Sequence, residues 1–137
     1  MNTRSYIPAF FLAFFLLCSV TLPAYAPALS LQEEVSNAIK LGNASALAKY
    51  FNTSLDLVVP GQEITCSKTQ AEQILKDFFQ KNPPKSFKIN HQGASKDGSQ
   101  FSIGTYISTA DKSFRTYFLL KKSGANTLIQ QLQFETE

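Results

Sequence analysis

The sequence predicts an α+β domain, three N-terminal helices packed in a curved antiparallel sheet, with the cone-like element order α-α-β-α-β-β-β-β. Three observations lead there. Between Ser30 and Phe79 apolar residues recur at helical spacing, interrupted by one short alternating stretch. After Pro84 they recur at every second position as far as Phe134, the period of strands with one buried face. The chain has 137 residues, 44% of them hydrophobic, enough for one core and too few for two domains of ordinary size.

The first 28 residues stand apart from that domain. Arg4 is a lone positive charge, Ile7 to Leu22 is uncharged and carries Phe10, Phe11, Phe14 and Phe15, and small residues follow at Ala24, Ala26 and Ala28. This is the three-part pattern of a secretory signal peptide, so the domain boundary falls at 1–28 and 29–137. Cleavage after Ala26 would set Pro27 beside the scissile bond, and cleavage after Ala28 competes with it. Sixteen apolar residues fall short of the ~20 that cross a bilayer comfortably, which argues against an uncleaved anchor. Leu17 before Cys18 is too large for a lipid-attachment site.

Ser30 and Glu33 have the spacing of a capping box, with Leu31, Val35, Ala38 and Ile39 following at helical spacing, so a first helix runs over 31–41 and ends at Gly42. Asn43 caps a second, which places Leu47, Tyr50 and Phe51 on one side and stops near Asn52. Leu55, Leu57 and Val59 alternate before Pro60-Gly61, giving a strand over 54–59. Ser67 and Gln70 repeat the capping spacing ahead of Ala71, Ile74, Leu75, Phe78 and Phe79, the clearest helix in the chain. Asn82-Pro83-Pro84 ends it, because proline has no amide proton and drives the preceding residue out of the helical region.

Four strands follow. Parity puts Phe87, Ile89 and His91 on one face of the first, and Phe101, Ile103, Thr105 and Ile107 opposite Ser102, Gly104 and Tyr106 in the second. In the third, Phe114, Thr116, Phe118 and Leu120 oppose Arg115, Tyr117 and Leu119; in the fourth, Leu128, Gln130, Leu132 and Phe134 oppose Ile129, Gln131 and Gln133. Lys96-Asp97-Gly98 supplies the first turn. A two-residue loop at Asp111-Lys112 places Thr105 opposite Phe118, and a three-residue loop at Ser123-Gly124-Ala125 places Phe118 opposite Gln130. Both pairings keep the phenylalanine-rich faces on one side of the sheet.

This element order resembles the nuclear-transport-factor-2-like, or cystatin-like, cone. The helix from Ser67 to Phe79, the turn Asn82-Pro83-Pro84, the segment Phe87 to Gly93, and Ile103-Gly104 with Phe114 to Tyr117 resemble a family of short secreted bacterial proteins of undefined function. The resemblance implies the fold and export, and it carries no activity.

Charge and cysteine content narrow the function further. Lys and Arg number 13 against 10 Asp and Glu, a net +3 that becomes +2 without Arg4, and there is no basic run, so nucleic-acid binding is not the default. Cys18 and Cys66 make neither a disulfide framework nor a zinc site, and no cofactor is implied. Cys66 reads as a small buried side chain, with an intermolecular disulfide as the alternative. The acceptor patterns at Asn43 and Asn52 carry no weight in a chain that resembles bacterial proteins.

His91 is the single histidine, and the expected inner face offers it no carboxylate partner. Catalysis and metal binding therefore both lack their second component. Asp56 and the other acidic residues fall on helix surfaces, strand exteriors, turns or termini, so no general base is assigned. The reading is an exported, periplasmic or extracellular, non-enzymatic binding module with no stable membrane insertion after leader cleavage. It would hold a small apolar molecule or partner segment against His91, Thr105, Thr116, Gln130, Phe87, Phe101 and Phe118. The alternatives are an interaction protein with a filled core, dimerising through Tyr106, Arg115, Tyr117, Leu119 and Ile129 on the outer face, and an enzyme of unrecognised chemistry. Whether the eight phenylalanines after the leader fill the cone or line it separates the first two.

The leader makes the first prediction. Mass spectrometry of protein from its native host should find a mature start near Pro27 or Leu29, and an intact Met1 on membrane-bound protein would overturn export.

Overall fold

The computed structural model describes residues 26–137, so all but the last three positions of the expected leader, Cys18 included, lie outside the described residues. Helix α1 (Leu31–Lys40) starts at the expected capping box: Glu33 N–H donates to Ser30 Oγ at 3.3 Å, and Ser30 N–H donates to Glu33 Oε2 at 2.7 Å. It buries Val35, Ala38 and Ile39. Helix α2 (Ala44–Ala48) is capped by Asn43, whose Oδ1 accepts from Ala46 N–H at 2.9 Å. It ends earlier than expected because Phe51 already belongs to strand β1 (Phe51–Val59).

A second departure follows at once. Strand β2 (Gln62–Ser67) pairs with β1 across the Pro60-Gly61 turn, where Gly61 takes φ 82°. Proline then glycine is the sequence such a turn favours, but Gln62, Glu63 and Thr65 hide the strand that leaves it. Helix α3 (Lys68–Lys81) is capped by Ser67 and buries Ala71, Leu75, Phe78 and Phe79 against the sheet. Strands β3 (Pro84–Ala94), β4 (Gln100–Ser108), β5 (Ser113–Ser123) and β6 (Asn126–Thr136) complete a six-stranded sheet in the order β2-β1-β6-β5-β4-β3. Only the β1–β6 pair is parallel.

The largest correction concerns β4, which faces the opposite way from the sequence expectation. The β4–β5 loop is three residues, Thr109 to Asp111, closed by Asp111 N–H to Ser108 O and Ser108 N–H to Lys112 O, both 2.9 Å. Asp111 supplies the left-handed residue this hairpin needs, at φ 59°. Thr105 therefore lies opposite Arg115, not Phe118. An odd shift of register turns every side chain over. Ser102, Gly104, Tyr106 and Ser108 face inward, while Phe101, Ile103, Thr105 and Ile107 face outward and are half-buried.

Two bulges make the remaining corrections. The β3–β4 register shifts between Ile89 and His91, so Phe87 and Ile89 face the core while His91, opposite Ile103, is exposed on the outer face. The β5–β6 register shifts between Leu119 and Leu120, so Gln130 is the extra residue. Near the two-residue Gly124-Ala125 turn, Ile129 is then the buried residue, and beyond the bulge Leu132 and Phe134 point inward as expected. Phe118 lies opposite Leu132 instead of Gln130.

Phe78 sits at the centre of the resulting core. Its ring centroid is 4.6 Å from Phe134, 5.3 Å from Phe114, 5.6 Å from Phe79 and 5.7 Å from Tyr106. Aromatic pairs at such separations add about 0.5–1.5 kcal/mol each beyond area burial. Gly104 lets the Phe87 ring lie over β4, since a Cβ there would fall 2.5 Å from Lys88 O and 2.8 Å from that ring. Of the eight phenylalanines after the leader, seven are buried and only Phe101 is not, so they fill the cone.

Candidate functional site

Filling the interior displaces the open space to the rim. A cleft of about 840 Å³ opens where α3 passes the β1–β2 turn and the ends of β5 and β6. Ile74, Asp77, Phe78 and Lys81 reach it from α3 at i, i+3, i+4 and i+7, one face of the helix. Val59, Pro60, Gly61 and Gln62 form the opposite wall, and Phe114, Lys112 and Thr136 close the end. Its floor is therefore apolar, from Val59, Ile74, Phe78 and Phe114, and its rim polar. Asn82 lines the cleft beside Tyr106, whose hydroxyl donates to Asn82 O. Burial pushes the Tyr106 phenol well above its ordinary value, so it stays a neutral donor and holds the end of α3 on β4.

None of the seven residues expected to form a pocket lines this cleft. Thr116 and Phe118 are fully buried, and Phe87 is 7% exposed. Thr116 Oγ1 lies 3.4 Å from Phe114 O, a contact internal to the core. His91, Thr105 and Phe101 stand on the outer face, where the His91 and Phe101 rings are 5.6 Å apart, and Gln130 occupies the β6 bulge. The inner polar contact the parity missed is Ser102, whose Oγ accepts from Gln32 Nε2 at 3.1 Å and docks α1 onto β4.

The expected interface divides as well. Tyr106 and Ile129 are fully buried, so neither is available to a partner. Arg115, Tyr117 and Leu119 do lie on the outer face, with Arg115 3.7 Å from Glu135. Phe101 opposite Leu119 and Ile103 opposite Tyr117 make a four-residue apolar centre there. Cys66 is buried in β2, and its thiol is pushed up chiefly by that burial, with Asp56 adding a smaller effect.

The lining of the cleft offers apolar contact and hydrogen-bonding groups. Its carboxylate, Asp77, is open to solvent and engaged by Lys81 at 2.8 Å. Sequence reasoning missed the cleft because Ile74 and Phe78 read as core residues, and only the position of the β1–β2 turn leaves their outer edges uncovered.

Helices cradled by a six-stranded curved sheet, with an opening at the rim, define a cone of the NTF2-like class. An NTF-2 like protein of unknown function from Silicibacter pomeroyi shares the fold, with TM-score 0.54 and 14% identity over 77% of this chain and 89% of that one. The chain belongs to the family described as Domain of unknown function (DUF4783), whose model matches residues 32–135. A crystal structure of a DUF4783 family protein from Bacteroides uniformis has TM-score 0.73 and 30% identity, covering 79% of this chain and 98% of that chain. One from Bacteroides ovatus has TM-score 0.70 and 34% identity, covering 76% and 93%. Comparison with curated proteins finds no match.

Proposed function

We propose that the protein is an exported, non-enzymatic binding module that holds a small, mainly apolar ligand in the rim cleft. The observation that carries this is the pairing of an apolar floor with a few polar groups in a space of about 840 Å³, inside the range of small-molecule sites. Among the described residues, Thr116, Phe87 and Phe118 are packed against protein, so the interior space expected around them is filled. An amide-detected NMR titration with a library of small aromatic and aliphatic compounds tests it. Shifts should cluster at Gly61, Gln62, Ile74, Lys112 and Thr136, and Ile74→Trp, which sets a larger ring across the apolar floor, should abolish them. A library without a binder, or shifts gathered around His91 and Thr105, would contradict this reading.

A second reading concerns assembly, and the half-buried Phe101–Leu119 and Ile103–Tyr117 pairs favour it. No described element of the chain covers them, and Tyr and Arg115 beside them are residue types that interfaces favour. A second copy meeting this face would form a two-fold dimer. Sedimentation at micromolar concentration should show a species of twice the protomer mass that Tyr117→Glu weakens, and a purely monomeric wild type would refute it.

A further inference from the structure

We propose that the ligand of the rim cleft is an amphiphilic anion, an apolar body on Ile74, Phe78 and Phe114 with a carboxylate or sulfonate head at Lys112 and Thr136. This rests on the cleft reading above and adds the charge of what enters.

The first ground is the charge inventory around the cleft. Its lining holds Lys81, Lys112 and Asp77. Asp77 is engaged by Lys81 at 2.8 Å, and Asp111, next to Lys112, is engaged by Lys85 at 2.6 Å. Glu135 is turned to Arg115, and the Glu137 carboxylate accepts from Ser113 Oγ. Among the described residues, Asp77, Asp111 and Glu135 are each paired with a cation, the Glu137 carboxylate meets a neutral hydroxyl, and Lys112 has no carboxylate within ion-pair distance. Its ammonium is thus the cation of the lining available to a ligand.

The second ground is backbone and independent of the lysines. Glu137 N–H donates to Ser113 O at 3.1 Å, which makes that pair hydrogen-bonded and Phe114–Thr136 the non-hydrogen-bonded pair beside it. The peptide groups of Thr136 therefore turn away from β5, toward the side on which β1 would continue. That strand does not continue. Its last pairing with β6 is Val58–Gln133, and no backbone hydrogen bond joins Thr136 N–H to the Pro60 carbonyl, its partner in a continued ladder. Thr136 N–H, and its hydroxyl, are left as donors at the same end of the cleft as Lys112. An ammonium beside a free amide and a hydroxyl, above an apolar floor, is a set of donors that matches one anionic head group on an apolar body.

A matched pair of fluorescent probes tests the inference: 1-anilinonaphthalene-8-sulfonate and the uncharged N-phenyl-1-naphthylamine share their aromatic body and differ in the sulfonate. Titrated into the purified protein at low ionic strength, the sulfonate should bind about fivefold more tightly, the effect of one charge contact at a solvated rim. Lys112→Gln should bring the ratio of the two affinities to about one, a persisting preference would overturn the anionic head at Lys112, and Ile74→Trp should abolish both. Equal affinities in the wild type, with both lost in Ile74→Trp, would overturn the anionic head and keep the cleft. Failure of both probes to bind, or binding indifferent to Ile74→Trp, would overturn the cleft and the anion together.

Discussion

The left-handed backbone at Asp111 decides which side of β4 meets the helices, and most of the molecule depends on that decision. With Asp111 at φ 59° the loop takes three residues, Tyr106 points inward, and its ring joins Phe78, Phe79, Phe114 and Phe134. The turn is held from two sides, by Lys85 on Asp111 and by Thr109 N–H on Pro83 O at 2.8 Å. The exposed ion pair adds little by itself. The backbone bond matters more, because it ties the start of β3 and the end of α3 to the hairpin that sets the register.

The helices were legible because their signals are local. Ser30, Asn43 and Ser67 each cap the helix they announce, and the apolar spacing of α3 names its buried face. The inner face of β5 was legible for the same reason: Phe114, Thr116, Phe118 and Leu120 alternate without interruption. Parity failed wherever one residue was inserted. His91 and Ile129 lie beyond or beside bulges that no composition signal marks, and an alternating pattern is equally regular on either side of such a shift. In β4 the pattern itself misled, since Phe101, Ile103 and Ile107 look like core while Ser102, Gly104 and Tyr106 occupy it. Those positions are inner because Gln32 satisfies Ser102, Gly104 admits the Phe87 ring, and Tyr106 reaches Asn82.

The candidate site was illegible for a related reason. A pocket inferred from face parity gathers residues of one sheet face, yet the open space here is defined by where β1 stops. Pro60-Gly61 ends that strand while β6 runs on to Thr136, and α3 covers only part of the gap. The same early stop of β1 leaves Thr136 N–H without a β1 partner beside an apolar floor. Family membership supplies the cone, and the function proposed for it rests on this local mismatch of strand lengths.

The inward position of Tyr106 is the claim on which the filled cone and the displaced site both stand. It is tested most directly by unfolding free energy measured from neutral pH to about pH 12 in the wild type and in Tyr106→Phe. Burial raises the folded-state value of this phenol above the ~10 of an unfolded tyrosine, so its contribution is complete below about pH 10 and falls away as pH rises further. The wild type should therefore lose stability steeply on the alkaline side. Tyr106→Phe should be weaker by about 1–3 kcal/mol at neutral pH, from the Asn82 carbonyl left without its donor, and should show a shallower alkaline loss. Identical alkaline limbs and an unchanged neutral stability would mean that Tyr106 faces water, and the account of the core would be wrong.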